Sequence, residues 1–486
     1  MILSLKPIFY LSLLLCFTFV NASILVNQRT LEDSMIESYK TTSPNVDSIS
    51  QMFTKGNFYG RLRFNSFGFV WHEELEFNGK EVRKDHGIVG LGGSFLYKSA
   101  YLHGFAFTVG LYATESYGSL NQNEAYLYKA GKGVLSREDM LNDGTSNILS
   151  MSQAYLEYKH ENTSLKVGRQ IFESFLTKSN DTKMIPNTFE GVTLNSKILE
   201  NTEIKMAYLT KQKLRDHSEF HHLFSKDGYS ENDDAMMHLG ITRTTLKEKK
   251  IEDRLLIFDM VNKSIENYKI HINYTAIPEL LSSAMLQVDY TMNVDGFMVI
   301  PAFRYMQQFD HGVGPIGGAN IKTITQGYSN PKTLDSWLFG ARVDVKADAW
   351  KLRFGYTKVA DEGDIIAPWR GFPTGGFTRV MGQYNWYANT ETYMIRADYN
   401  FAKVKWASNL KAFMRYAIQD FDDSKPGVPY ADSQVVTLDI IKRFETIPNL
   451  YMKVRMGHVF GEAQTTNVQK ADPSYSEARF EINYLF

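Results

Sequence analysis

Basic side chains recur at alternate positions in short segments whose intervening residues are apolar. In one segment, Arg342 and Asp344 alternate with Ala341, Val343 and Val345. Because successive side chains of a β-strand point to opposite faces, such a segment presents one charged face and one apolar face. Arginines on the charged faces can bind carboxylates through paired hydrogen bonds. The candidates for this chemistry are Arg61, Arg63, Arg342, Arg353, Arg396, Arg415, Lys453, Arg455 and Arg479.

Acidic residues share the charged faces with these cations. One interpretation is that the charges pair across neighbouring strands and only hydrate the wall. The other is that the surplus of arginines forms a track for carboxylates. An arginine on the apolar face would cost about 2–4 kcal/mol near the middle of a bilayer, which fixes the assignment of faces. The acids in question are Glu157, Asp344, Asp398, Asp439 and Glu481.

There are eighteen alternating segments, and the connections between them alternate between short and long. This pattern predicts an all-β fold, a transmembrane antiparallel β-barrel of about 18 strands with short periplasmic turns and longer external loops. The stretch from Met236 to Arg243 also alternates, but an odd count would separate the two ends of the barrel, so it is assigned to the fourth external loop. The strands are predicted to start near Phe58, Gly87, Gly104, Met151, Ser164, Phe189, Glu203, Arg254, Asn267, Ala284, Gly296, Ser336, Trp350, Thr392, Lys405, Gln434, Leu450 and Ser476.

The last ten residues form the clearest of these segments. Phe480, Ile482, Tyr484 and Phe486 share one parity, whereas the other parity is mostly polar. A strand of this kind that ends on an aromatic residue is typical of the closing strand of an outer-membrane barrel, with lipid on one side and a wet interior on the other.

The first 22 residues have the pattern of a secretory signal peptide. Lys6 precedes an apolar run from Ile8 to Val20, and cleavage is predicted after Ala22. The alternative, a transmembrane anchor, needs a longer run. Residues 23–57 are predicted to be a mostly irregular periplasmic segment, and residues 58–486 the barrel. The sole cysteine, Cys16, lies in the signal peptide.

Composition excludes some classes of function. Without the signal peptide, which holds Lys6 and no acid, the chain has 52 basic and 54 acidic residues, a net charge of −2. Nucleic acid binding would favour a basic chain, so none is predicted. His217, His221 and His222 form the densest histidine cluster; Zn²⁺ binding is the alternative there, and a solvated loop is favoured. No catalytic residue, metal or cofactor is predicted.

One stretch resembles the OprD-type family of outer-membrane porins. The segment Leu165–Gln170 resembles the strand before the family's third external loop, and the loop itself is similar in Asp181, Thr182, Lys183, Pro186, Thr188, Phe189, Glu190 and Gly191. The segments 53–63 and 394–401 resemble the family's first strand and a later one. The resemblance implies a monomeric barrel of eighteen strands, a third loop folded inward, and a narrow pore with a row of basic residues. It also implies small carboxylate substrates, such as amino acids and aromatic acids.

The resemblance extends the list of candidates to the third loop, where Arg169 and Lys183 flank the expected constriction. The predicted function is a bacterial outer-membrane porin for passive, selective diffusion of small hydrophilic solutes. An outer-membrane lipase or protease and a closed structural or adhesive barrel remain alternatives. The predicted partners are the solutes, outer-membrane lipid, and the barrel-assembly machinery through Phe486.

Overall fold

Eighteen antiparallel strands close into one barrel within the described part of the chain. A computed structural model describes residues 29–39, 43–129, 133–225, 237–381, 383–466 and 468–486. The predicted signal peptide and Met236 lie outside these ranges. The barrel strands are β1 Asn57–Trp71, β2 His86–Lys98, β3 Phe105–Gly118, β4 Ile148–His160, β5 Thr163–Gln170, β6 Thr188–Ser196, β7 Thr202–Lys213, β8 Leu255–Asn262, β9 Tyr268–Ile277, β10 Leu281–Tyr290, β11 Phe297–Asp310, β12 Ser336–Ala347, β13 Trp350–Val359, β14 Glu391–Asn400, β15 Leu410–Asp420, β16 Ser433–Arg443, β17 Leu450–Gly461 and β18 Tyr475–Leu485.

Closure joins the last strand to the first. β18 pairs with β1 over eleven residues, from Tyr475 opposite Trp71 to Leu485 opposite Arg61. The predicted strand starts agree with the structure to within three residues, except that β15 starts at Leu410 rather than near Lys405. Residues 237–243 contain no strand, which confirms their assignment to a loop.

Connections differ in length at the two ends of the barrel. Three of the loops at the long-loop end matter below: the third loop (171–187), the fourth loop (214–254) and the seventh loop (360–390). At the opposite, short-turn end the chain enters β1 after two short strands, Arg29–Leu31 and Glu37–Tyr39, which pair as a hairpin. The segment predicted to be mostly irregular therefore contains ordered elements.

Short helices and strands complete the fold. The helices are α1 Ile49–Thr54, α2 Arg137–Asp143, α3 Arg243–Glu248 and α4 Val313–Gly317, with 3₁₀ turns at Gln122–Leu127, Phe401–Lys403 and Lys405–Ala407. Ser48 caps α1 by accepting a hydrogen bond from the Gln51 amide. Further short strands are Asn45–Val46, Leu75–Phe77, Lys80–Arg83, Tyr101–Leu102 and Met292–Val294. None of the helices in the described ranges has the length and hydrophobicity to span a bilayer.

Burial separates the two faces of the wall. On β13, Leu352 and Phe354 are exposed on the outside, while Arg353 between them is buried inside. The largest buried apolar cluster lies within the barrel and draws on the third, fourth and seventh loops through Leu176, Leu223 and Trp369. The loops therefore fill part of the lumen instead of extending away from it.

Candidate functional site: a basic wall and the loops that fold onto it

The third loop crosses the lumen and lies along β1. The Asp181 carboxylate accepts hydrogen bonds from Arg61, at 3.4 Å, and from Arg63. Two residues further along β1, Asn65 donates to the Lys183 carbonyl at 2.7 Å. The Lys183 ammonium lies 4.5 Å from the centre of the Phe67 ring. Since Arg61, Arg63 and Asn65 alternate along one strand, the lumen face of β1 is the surface to which the third loop binds.

The rest of the third-loop motif anchors the loop to β6 and β7. The Pro186 carbonyl accepts a hydrogen bond from the Lys213 ammonium at 3.3 Å, and Thr188 and Phe189 are fully buried. Gly191 faces Gly168 across β5 and β6, both with positive φ, at 157° and 123°. A Cβ atom would overlap the Ala154 carbonyl of β4 at Gly168 and the Tyr208 carbonyl of β7 at Gly191. The glycines of the motif are therefore needed for close strand pairing.

Arg169 does not join the other predicted basic residues. It shares the parity of Leu165 and Val167, whose side chains are exposed on the outer surface of β5. Its guanidinium pairs with Glu190 at 3.3 Å and lies 4.5 Å from the centre of the Phe220 ring. Arg169 and Glu190 thus form a half-buried pair on the outer side of the wall at the long-loop end.

The seventh loop also folds inward, although no sequence motif predicts it. Its Arg370 pairs with Thr177 of the third loop in an isolated antiparallel bridge. The Lys178 amide donates to the Trp369 carbonyl at 3.0 Å, and the Gly371 amide donates to Leu176 at 2.8 Å. These backbone bonds make the third and seventh loops one unit inside the barrel.

The fourth loop also contacts both the seventh and the third loop. Arg370 forms a buried ion pair with Asp216 at 2.9 Å. Arg215 donates to the Thr182 hydroxyl of the third loop at 3.1 Å. Among the described residues, no group of three or more His, Cys, Asp or Glu side chains is arranged to hold a metal ion. Instead the His217 and His221 rings contact each other at 4.9 Å.

Burial lowers the pKa of both histidines to about 3, with nearby cations adding to the effect. For His217, the cations are Arg370, Lys213 and Arg137; for His221, the neighbouring ring of His217 acts in the same direction. The two imidazoles are therefore neutral where the loop is packed, even in mildly acidic solution.

Part of the basic wall holds the seventh loop. The Gly376 carbonyl accepts hydrogen bonds from Arg342 at 2.8 Å and from Arg353 at 2.6 Å. Arg304 donates to the Pro373 carbonyl at 2.7 Å. Arg304 was not among the predicted residues, although it alternates with the exposed Phe303 and Tyr305 on β11. Strand parity alone would have found it.

The remaining predicted arginines form a row on adjacent strands. Arg353 on β13 lies directly opposite Arg396 on β14, which lies directly opposite Arg415 on β15. Arg455 on β17 in turn faces Arg479 on β18. We call Arg353, Arg396, Arg415, Lys453 and Arg455 the basic row.

Three carboxylates hold the five cations of the basic row. Asp344 binds Arg353 at 2.5 Å, and Asp398 binds the Arg396 Nε at 2.8 Å. Asp439 is fully buried and is shared by Arg415 at 3.3 Å, Lys453 at 3.2 Å and Arg455 at 2.7 Å. Within this set the positive charge exceeds the negative by two, so the row remains an attractive surface for anions.

Exposure decides which arginines can meet a solute in the lumen. The side chains of Arg396, Arg455 and Arg415 are 20%, 18% and 16% exposed. Those of Arg61 and Arg63 are only 1% and 2% exposed, and Arg479 is buried beside Glu477. Arg396, Arg415 and Arg455 are therefore the accessible part of the wall, whereas Arg61, Arg63, Arg342 and Lys183 position the loops.

Comparisons with known proteins agree with this architecture. The sequence model described as outer membrane porin, OprD family, matches residues 95–418. Among curated proteins, none matches the sequence.

Solved structures with the same fold include outer-membrane proteins of Pseudomonas aeruginosa and Acinetobacter baumannii. The barrel resembles OpdQ of Pseudomonas aeruginosa, with 16% identity, a TM-score of 0.64, and coverage of 89% of this chain and 98% of that one. OccAB3 of Acinetobacter baumannii gives 14% identity and a TM-score of 0.67, over 88% and 99% of the two chains. OpdK of Pseudomonas aeruginosa, crystallised with vanillate, gives 11% identity and a TM-score of 0.64, over 88% and 98%.

Proposed function

Because this chain belongs to the OprD family of outer membrane porins, we propose that it carries small carboxylate-bearing solutes across the bacterial outer membrane by passive diffusion. The observation that supports this choice of solute is the basic row. Directly opposite like charges destabilise a β-sheet, and Arg353, Arg396 and Arg415 form two such neighbouring pairs. An anion bound between them relieves that repulsion, so the arrangement favours anionic solutes.

The chemistry of arginine suits a carboxylate. A guanidinium presents several donors in one plane and binds a carboxylate through two parallel hydrogen bonds. Asp398 engages the Nε and Nη2 edge of Arg396, and the side chain remains partly open to the lumen. A solute can therefore bind to Arg396, Arg415 or Arg455 without displacing the acids that orient them.

Neighbouring sites make transport possible without energy coupling. A channel must bind its solute strongly enough to attract it and weakly enough to release it, and several adjacent weak sites meet both needs. The internal carboxylates Asp344, Asp398 and Asp439 weaken each site by competing with the solute. The packed third and seventh loops narrow the path, so selectivity comes from width and charge together.

The experiment compares a carboxylate with its uncharged amide. After subtraction of the uptake by protein-free liposomes, which benzamide enters through lipid, we expect purified protein in liposomes to admit benzoate faster than benzamide. We also expect planar bilayers to show an anion-selective reversal potential in a KCl gradient. The aromatic acid is chosen because the structure of OpdK contains vanillate, also an aromatic carboxylate. Equal uptake of benzoate and benzamide would overturn the proposed solute class, and absence of both uptake and conductance would overturn the channel function.

A further inference from the structure

The N-terminal hairpin, residues 29–39, sits in the mouth of the lumen at the short-turn end, which is the periplasmic end in a porin of this family. Its Leu31 and Met35 are 1% exposed, and Leu31 lies in one apolar cluster with Phe413, Ile441 and Tyr451 of the wall. These wall residues share the parity of the lumen-facing Arg415, Asp439 and Lys453 on the same strands. The hairpin is therefore packed against the inside of the barrel.

Four lumen-facing cations hold the hairpin in place. Arg443 donates to the Leu31 carbonyl at 3.0 Å, and Arg61 donates to the Met35 carbonyl at 2.8 Å. Lys453 donates to the Asp33 carbonyl at 3.0 Å, and Lys411 forms an ion pair with the Asp33 carboxylate at 3.3 Å. Three of the four bonds are to backbone carbonyls, so the position of the hairpin is fixed by its fold as well as by its charge.

Two of these cations also belong to the transport machinery. Lys453 is part of the basic row through Asp439, at 3.2 Å. Arg61 also binds Asp181 of the third loop. The hairpin thus occupies hydrogen-bond donors of Lys453 and Arg61 at the periplasmic end of the path that the basic row lines.

The charge of the hairpin is opposite to that of the wall. Residues 29–39 include Arg29, Glu32, Asp33 and Glu37, a net charge of −2. A carboxylate that leaves the basic row towards the periplasm meets this acidic segment, with Asp33 already paired to a wall lysine. The pair of Asp33 and Lys411 is 40% and 39% exposed, so water and ions reach it.

We propose that the N-terminal hairpin is a tethered anionic stopper: it narrows the periplasmic mouth, and Asp33 occupies a wall cation that a carboxylate solute would otherwise use. The hairpin thereby limits both the flux and the anion selectivity of the pore. This inference rests on the proposed function, since it assumes that the lumen conducts.

The first test removes the hairpin from the otherwise complete chain. Deletion of residues 29–39 should raise single-channel conductance by roughly twofold, because the pore widens at one end, and should shift the reversal potential towards anions. Heat-dependent migration in gel electrophoresis checks that the variant is folded. If wild type and deletion conduct equally, with equal selectivity, the stopper is wrong and the porin stands. If neither protein conducts, both proposals fail. If only the deletion variant conducts, the stopper is supported, and the proposal that the wild-type pore is open to solutes fails.

The second test changes one charge and does not depend on the deletion folding. Asp33→Asn should shift the reversal potential towards anions. The matched control is Asp348→Asn, since Asp348 is an acid at the same end of the barrel that pairs with Lys403 at 2.6 Å, and both side chains are exposed. The control should leave the reversal potential unchanged. An unchanged potential in Asp33→Asn overturns the role of Asp33.

A chemical rescue completes the design. Because Cys16 is the only cysteine of the chain and lies in the predicted signal peptide, Asp33→Cys introduces a single new thiol. We expect this variant to behave like Asp33→Asn, an anionic sulfonate thiol reagent to restore the wild-type potential, and a cationic reagent to increase anion selectivity further. Identical effects of the two reagents would show that bulk rather than charge at this position matters, and would overturn the electrostatic part of the proposal.

Discussion

At the scale of single residues, the accessible arginines and the buried ones have different tasks. Arg396 faces the lumen between two other arginines, so Arg396→Gln should reduce the anion-to-cation permeability ratio by about fivefold, equivalent to about 1 kcal/mol of lost attraction. Reversal potentials in a KCl gradient measure the ratio. Arg169→Gln is the matched control, because Arg169 shares the outward parity of the exposed Leu165 and Val167 on β5. An equal loss in both variants would contradict a specific role for the row.

Asp439 is the residue on which the row depends for stability. Its fully buried carboxylate is shared by three cations, so Asp439→Asn removes the charge that all three contact and should cost about 3–5 kcal/mol of folding free energy. Asp398→Asn, at a partly exposed acid that pairs with Arg396 on its own strand, should cost about 1 kcal/mol or less. Urea unfolding in detergent compares the two variants. Similar losses would mean that Asp439 is not the centre of the network.

At the scale of elements, the three inward loops behave as one unit. Backbone bonds join the third and seventh loops, and a buried ion pair joins the seventh to the fourth. Arg370→Met removes the ion pair that joins the seventh loop to Asp216 and should loosen the seventh loop, giving larger current fluctuations in single channels. Breaking a buried pair on one side costs about 3–5 kcal/mol, whereas replacing both members by apolar residues is often nearly neutral. The double variant Arg370→Met with Asp216→Leu should therefore be quieter than Arg370→Met alone. If the double variant is the noisier one, the pair does not act by compensating charge.

The fourth loop should respond to acid through its histidines. The pKa values of His217 and His221 are lowered by burial to about 3, against about 6.5 in an unfolded loop. The packed loop thus binds fewer protons than the released loop, so its packing free energy is complete above pH 6.5 and falls as pH drops towards 3. We expect gating events to become more frequent at pH 4–5, measured in planar bilayers.

A control variant separates the effect of the histidines on the fourth loop from the opposing effect of Asp364 on the seventh loop. Burial raises the pKa of Asp364 in the seventh loop to about 6, so that loop gains stability as pH falls through 6. His217→Asn with His221→Gln removes the histidine contribution and leaves Asp364 in place. The variant should lose the acid-induced gating; gating that persists unchanged would exclude the histidines as its cause.

At the scale of the whole molecule, the barrel was predictable from sequence because each strand must satisfy the same local rule of alternation. The start of β15 was predicted five residues too early. The 3₁₀ turns around Lys405 and Trp406 precede this strand, and their polar and apolar residues alternate as the residues of the strand do. The inward folding of the seventh loop was not predictable, since it depends on backbone bonds between Trp369 or Gly371 and a segment about 190 residues earlier in the chain. Placement of Arg169 outside the lumen was readable from parity with Leu165 and Val167, but proximity to the third loop suggested otherwise.

Closure of the barrel gives the last prediction. The Phe486 amide donates to the Gly60 carbonyl at 3.2 Å, and the Gly60 amide donates to Phe486 at 3.0 Å, so the final residue extends the seam between β18 and β1. A Cβ atom on Gly60 would overlap both the Phe486 ring and the Ser94 carbonyl of β2. Gly60→Ala should therefore hinder closure and reduce the folded fraction.

The same strand and face provide the control for this test. Around Gly68, also outward-facing on β1, an added Cβ would meet nothing within 4 Å. We expect Gly68→Ala to fold like wild type and Gly60→Ala to leave a larger unfolded fraction in heat-dependent gel migration of outer-membrane extracts. Because the ring of Phe486 and the backbone of β2 both occupy the space beside Gly60, deleting Phe486 should only partly rescue Gly60→Ala, measured in purified protein refolded in detergent, where the assembly machinery takes no part. Complete rescue would place the whole constraint in the terminal aromatic ring, and none would place it in the β1–β2 backbone contact.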